Sequence, residues 1–79
     1  MNWKRRYHKI KNLQLGDKVR VRKDLNEDTW YGEQMVVHQM LKFRGQIITI
    51  SQLVDEDYQI KEDGEDWYWT DEMFSERIR

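Results

Sequence analysis

The sequence predicts a mainly β domain, a small barrel of about five antiparallel strands with one short helix. Three observations carry this. Charged and apolar residues alternate through 18–23 and again through 58–62, the period-two signature of half-buried strands. QIITIS, residues 46–51, is dense in β-branched side chains, which suit a pleated surface. Gly16-Asp17 and Asp63-Gly64 stand where the chain must turn.

The elements follow in order. Residues 1–12 mix basic and aromatic residues without a period and read as a basic N-terminal arm; residues 13–79 read as the barrel domain. In the first strand Val19 and Val21 face inward while Lys18, Arg20 and Arg22 face outward. Residues 24–34 form a polar loop, with Trp30 and Tyr31 near its end and Gly32 as a hinge. In residues 35–42 the apolar positions 36, 37, 40 and 41 fit about two helical turns, which Gly45 stops after Phe43. Ile48 and Ile50 point to the core from the next strand, and Tyr58 and Ile60 from the one after the Asp55-Glu56-Asp57 turn. The Asp63-Gly64 turn makes a hairpin with a strand through WYWT. That strand sets Trp67 and Trp69 on one face and Tyr68 on the other. Thr70 caps a helical turn whose Met73 and Phe74 close one end. The expected core is Val19, Val21, Phe43, Ile48, Ile50, Tyr58, Ile60 and Trp69.

Composition bounds the rest. Seventy-nine residues make one domain, and a chain this short buries only roughly 60% of its unfolded surface. There is no cysteine, so no disulfide or thiolate metal site braces it. Four Trp, four Tyr and two Phe must supply much of the core. The start, MNWKRRYHKI, has no apolar run suited to a signal peptide, and no segment approaches the ~20 apolar residues of a membrane span. A cytoplasmic setting is the expectation, with no membrane partner.

The order GDKVRVRKDL, a polar loop with YG, MVVHQMLKFRGQIITI, YQIKED and WYWTDEMF is similar to that of small uncharacterised SH3-like barrel proteins of Firmicutes bacteria and their phages. The resemblance spans residues 15–74. It is carried by Gly16, Asp17, Phe43, Gly45, Thr49, Ile50, Tyr58, Ile60, Trp67, Trp69, Thr70 and Met73, mostly turn and core positions. It implies an SH3-like barrel and no particular activity. A looser likeness to peptide-binding SH3 domains fails at the specific residues: the chain has no ALYDY stretch and no proline.

Catalysis has no visible apparatus. His8 and His38 are the only histidines, and His38 sits in an apolar stretch on the predicted helix. Ser51 and Ser75 lie in no nucleophile motif, and no phosphate-binding glycine loop is present. Neither Asp55-Glu56-Asp57 nor EDGED has calcium-loop spacing, so no metal and no cofactor are expected.

Charge is strongly divided. Residues 1–23 carry nine basic residues against Asp17, a net of +8, and residues 24–79 carry five basic against fourteen acidic, a net of −9. Such a split either joins two halves of one fold or marks an interaction surface. Two binding functions compete. The first is a protein-interaction module, a phage or prophage protein that binds or inhibits a host protein. Its face would hold Trp30, Tyr31 and Tyr68 within an acidic rim of Asp24, Glu27, Asp28, Glu65 and Asp66, suited to a basic partner. The plain alternative for Trp30 is that it folds back onto the end of the barrel. The second is nucleic-acid binding by Lys4, Arg5, Arg6, Lys9 and Lys11, interleaved with Trp3, Tyr7 and His8, with Arg20 and Arg22 adding an outward basic row.

Overall fold

Among the described residues six strands run in sequence: β1 (Lys18–Val21), β2 (Trp30–Tyr31), β3 (Gln34–Met35), β4 (Ile47–Val54), β5 (Asp57–Ile60) and β6 (Phe74–Ile78). Short 3-10 turns occupy His38–Phe43 and Asp71–Met73. The computed structural model describes residue 10 and residues 12–78. β5, β4, β1 and β6 lie side by side in that order, and β2 and β3 form a separate hairpin. All of these pairings are antiparallel. The mainly β class holds. The sheets do not close into a barrel, since β5 and β6 remain opposite edges of the larger sheet.

The alternation in β1 and β5 does what it predicts. Val19, Val21, Tyr58 and Ile60 are buried, as are Ile48 and Ile50 of β4, and Trp69 is completely enclosed. Phe43 is only half-buried; it turns its edge to the Trp69 ring at 5.9 Å and 81°. Phe74 stacks on Trp69 at 6.1 Å. Leu13, Leu25, Tyr31, Val36, Met40 and Met73 complete the core.

Four elements depart from the sequence reading, each for a local reason. The polar loop 24–34 contains a hairpin: Tyr31 pairs with Gln34 across the two-residue turn Gly32-Glu33. Gly32 takes φ +69°, a left-handed conformation that glycine adopts without strain. The helix is a 3-10 turn starting only at His38. The amide of Val36 donates to Thr29 O and its carbonyl accepts from Asp28 N, so the backbone before His38 is committed to the hairpin. Only eight residues lie between Val36 and Gly45, which has φ +74°, and the six of them in the 3-10 turn leave no length for a stable α-helix.

The WYWT strand reduces to one bridge, Tyr58 with Trp69, whose backbones exchange bonds of 2.8 Å. The Asp63-Gly64 stretch is a wider loop than a tight turn. Oδ1 of Asp63 accepts from the amides of Glu65 and Asp66, and its Oδ2 accepts from the Trp69 indole N–H at 3.0 Å. Gly64 and Glu65 both take positive φ. Thr70 makes no side-chain cap; its hydroxyl donates to Tyr31 O at 2.8 Å and ties the 66–70 segment to the hairpin. The fourth departure is β6: the sequence reading places Phe74 in a helical turn that closes one end and gives the residues after it no element. β6 pairs with β1 and carries the buried Phe74.

Candidate functional site

The hairpin presents two different faces. Tyr31 is buried, and its hydroxyl accepts from Asn26 N at 3.2 Å. Tyr31 is therefore core, a correction to its expected place on a binding face. Alternation then turns its neighbour outward. Trp30 is 61% exposed, and Met35, directly across the ladder, is 37% exposed. Trp30 does not fold back into the core, and the apolar pair forms the outer face of the hairpin.

The acids of the expected rim fall into two groups. Asp24, Glu27 and Asp28 are exposed on the approach to the hairpin. Asp24 is held by Arg22 through bonds of 2.9 and 3.1 Å, and Glu27 meets Nδ1 of His38 at 3.1 Å. Tyr68, 46% exposed, shares the 61–69 loop with the exposed Glu65 and Asp66. The Thr70–Tyr31 bond ties the segment that carries Tyr68 to the hairpin that carries Trp30.

The basic candidates divide differently. Arg20 pairs with Glu76 at 2.8 Å, and Arg22 pairs with Asp24, so part of the basic half is joined to carboxylates of the acidic half within the fold. Arg77 of the acidic half reaches back to Asp17 at 3.8 Å. Lys4, Arg5, Arg6, Lys9 and Lys11 lie outside the described residues.

One concavity among the described residues lies outside the sequence reading. A groove of about 720 Å³ lies between the hairpin turn Gly32-Glu33, the β4–β5 turn at 55–57 and the segment 70–72. Six carboxylates line it, from Glu33, Asp55, Glu56, Asp57, Asp71 and Glu72, and no basic residue does. None belongs to the expected rim. In sequence they are three separate acidic turns; only the tertiary pairing of the hairpin with the 70–72 segment makes them neighbours. Asp57 accepts a bond from Gln34 Nε2 at 2.8 Å, which fastens β5 to the hairpin. Among the described residues no group of three His, Asp or Glu is placed to hold a metal ion. No helix among them is long and apolar enough to cross a membrane.

Behind the groove wall, burial raises the Tyr58 phenol far above the ordinary tyrosine range, and the Asp71 carboxylate beside its hydroxyl adds to the shift. The folded chain thus holds that proton more tightly than the unfolded chain, whose tyrosines ionise near pH ~10. The contribution is complete below about pH 10 and is lost as the pH rises beyond it. Unfolding midpoints measured from about pH 8 to about pH 12 will fall at the alkaline end, and the fall will be shallower in Tyr58→Phe. Equal alkaline slopes in the two proteins would exclude Tyr58 as the cause.

Compared with known proteins, the chain matches no family model, no curated protein and no solved structure.

Proposed function

We propose that the domain is a non-enzymatic protein-interaction module that grips its partner through the outer face of the β2–β3 hairpin, with Tyr68 on the neighbouring loop. The carrying observation is the exposure of Trp30 opposite Met35. This fold encloses Tyr31 and Trp69 almost completely, yet leaves its hairpin tryptophan in solvent. Tryptophan is the residue most enriched among interface hot spots, and exposed acids around an apolar centre speed encounter with a basic partner. Asp24, Glu27 and Asp28 supply such acids beside Trp30, and Glu65 and Asp66 beside Tyr68.

The test is a dissociation constant measured with a purified partner recovered from a lysate of the source cell. Trp30→Ala will weaken binding by about 2 kcal/mol, roughly thirtyfold, and Tyr68→Ala by less. The unfolding midpoint of Trp30→Ala will stay near that of the parent, because the ring leaves no cavity. Unchanged affinity in both folded variants would refute this face.

A further inference from the structure

We propose that the apolar hairpin face and the groove beside its turn form one docking surface. Its occupant is a lysine- and arginine-rich segment of a partner protein that carries an apolar side chain. The inference rests on the reading above and names the partner's chemistry.

Continuity is the first argument. Gly32 and Glu33 are the hairpin turn and also one wall of the groove, while Trp30 and Met35 stand two residues back on the two strands. Trp30 and Met35 point away from the Gln34 side, whose Nε2 bonds Asp57 of the groove, so an extended segment lying on the pair enters the groove by passing over the Gly32-Glu33 turn, a few residues at ~3.3 Å each.

Charge is the second argument, and it selects the occupant. Glu33, Glu56 and Glu72 line the groove with no ion pair among the described residues. Glu72 lines the groove together with the hairpin turn Gly32-Glu33. Carboxylates in a concave wall reinforce one another's field, so bringing in cations relieves repulsion and gains attraction together. Nucleic acid is repelled by the same wall. A volume of about 720 Å³ has room for more than one long basic side chain, whose methylene stem can lie along the wall while its head meets a carboxylate.

The experiment uses the full chain and three labelled synthetic peptides: a lysine/arginine peptide with one leucine, the same peptide with serine for leucine, and one with glutamate for each basic residue. The leucine peptide will bind, and binding will weaken with added salt. Neutralising the groove with Glu33→Gln, Glu56→Gln and Glu72→Gln together will weaken it about tenfold or more. Trp30→Ala will weaken the leucine peptide and leave the serine peptide unchanged. The glutamate peptide will not bind.

Equal binding by the groove variant would overturn the proposal, as would failure of the leucine peptide to bind. A third contrary result is binding that appears only after Lys4, Arg5, Arg6, Lys9 and Lys11 are changed to Gln in the full chain; the occupant would then be the chain's own N-terminal segment. Loss of partner binding in Trp30→Ala with full binding in the groove variant would sink this inference alone and leave the hairpin face standing.

Discussion

Trp69→Ala will cost about 3–5 kcal/mol of folding stability, the largest effect expected of any single substitution in this chain. The indole is completely buried. Three contacts hold it: Phe43 meets it edge-on at 5.9 Å, Phe74 stacks on it at 6.1 Å, and Asp63 takes its N–H at 3.0 Å. Its backbone is also the single bridge that β5 makes on its outer edge. Truncation removes the ring contacts, opens a cavity at the centre of the core and deprives Asp63 of the donor that fixes the 61–69 loop. A domain of this size has about 5–10 kcal/mol in total, so much of the population will unfold. Urea denaturation followed by far-ultraviolet circular dichroism will show the midpoint falling steeply. Trp69→Phe separates the parts: it keeps an aromatic body and loses the N–H, and its loss will be intermediate. A parental midpoint in Trp69→Ala would mean that the core is organised around another residue.

Regular alternation was legible, and irregular backbone was not. Val19, Val21, Tyr58 and Ile60 are read correctly because their strands keep a strict period of two. β4 keeps it through Ile50; a register shift between Ile50 and Gln52 then leaves Gln52 and Leu53 exposed. β2 and β3 are two residues each, too short to show any period, so Tyr31 could not be sorted from Trp30 by pattern. The Asp63 loop depends on one carboxylate accepting two backbone amides and an indole N–H. The residues announce a turn there, but their types do not specify that wide geometry.

The candidate site was half legible for the same reason. The outward place of Tyr68 follows from its position between two Trp residues, and the acids near Trp30 are visible in sequence, but a two-residue strand carries no pattern that decides between exposure of Trp30 and its folding back. The groove is not legible at all. Glu33, the 55–57 turn and Asp71-Glu72 are joined by the Thr70–Tyr31 and Gln34–Asp57 bonds, contacts between residues 39 and 23 positions apart. Three acidic turns read along the chain are three ordinary solvent-facing turns. Folded together they are one surface of a single sign.

Removing residues 74–79 will abolish cooperative folding, although the sequence shows no strand there. FSERI has apolar residues only at its ends, and Ser75 is passed over in the register with β1, where Arg20 pairs with Glu76 and Val21 with Phe74. A bulge of this kind breaks the alternation that would identify a strand. Yet β6 covers one edge of β1, supplies Glu76 to Arg20, and seats Phe74 between Trp69 and Tyr58 at 6.1 and 6.2 Å. Without it β1 becomes an open edge and the core loses a whole aromatic ring, itself worth about 3–5 kcal/mol. The truncated chain will show no sharp thermal transition and poor dispersion of its amide proton signals. Phe74→Ala, which keeps the strand and removes only the ring, will still unfold cooperatively at a lower midpoint. A sharp transition at the parental temperature in the truncated chain would show that β1, β4 and β5 hold the fold without β6.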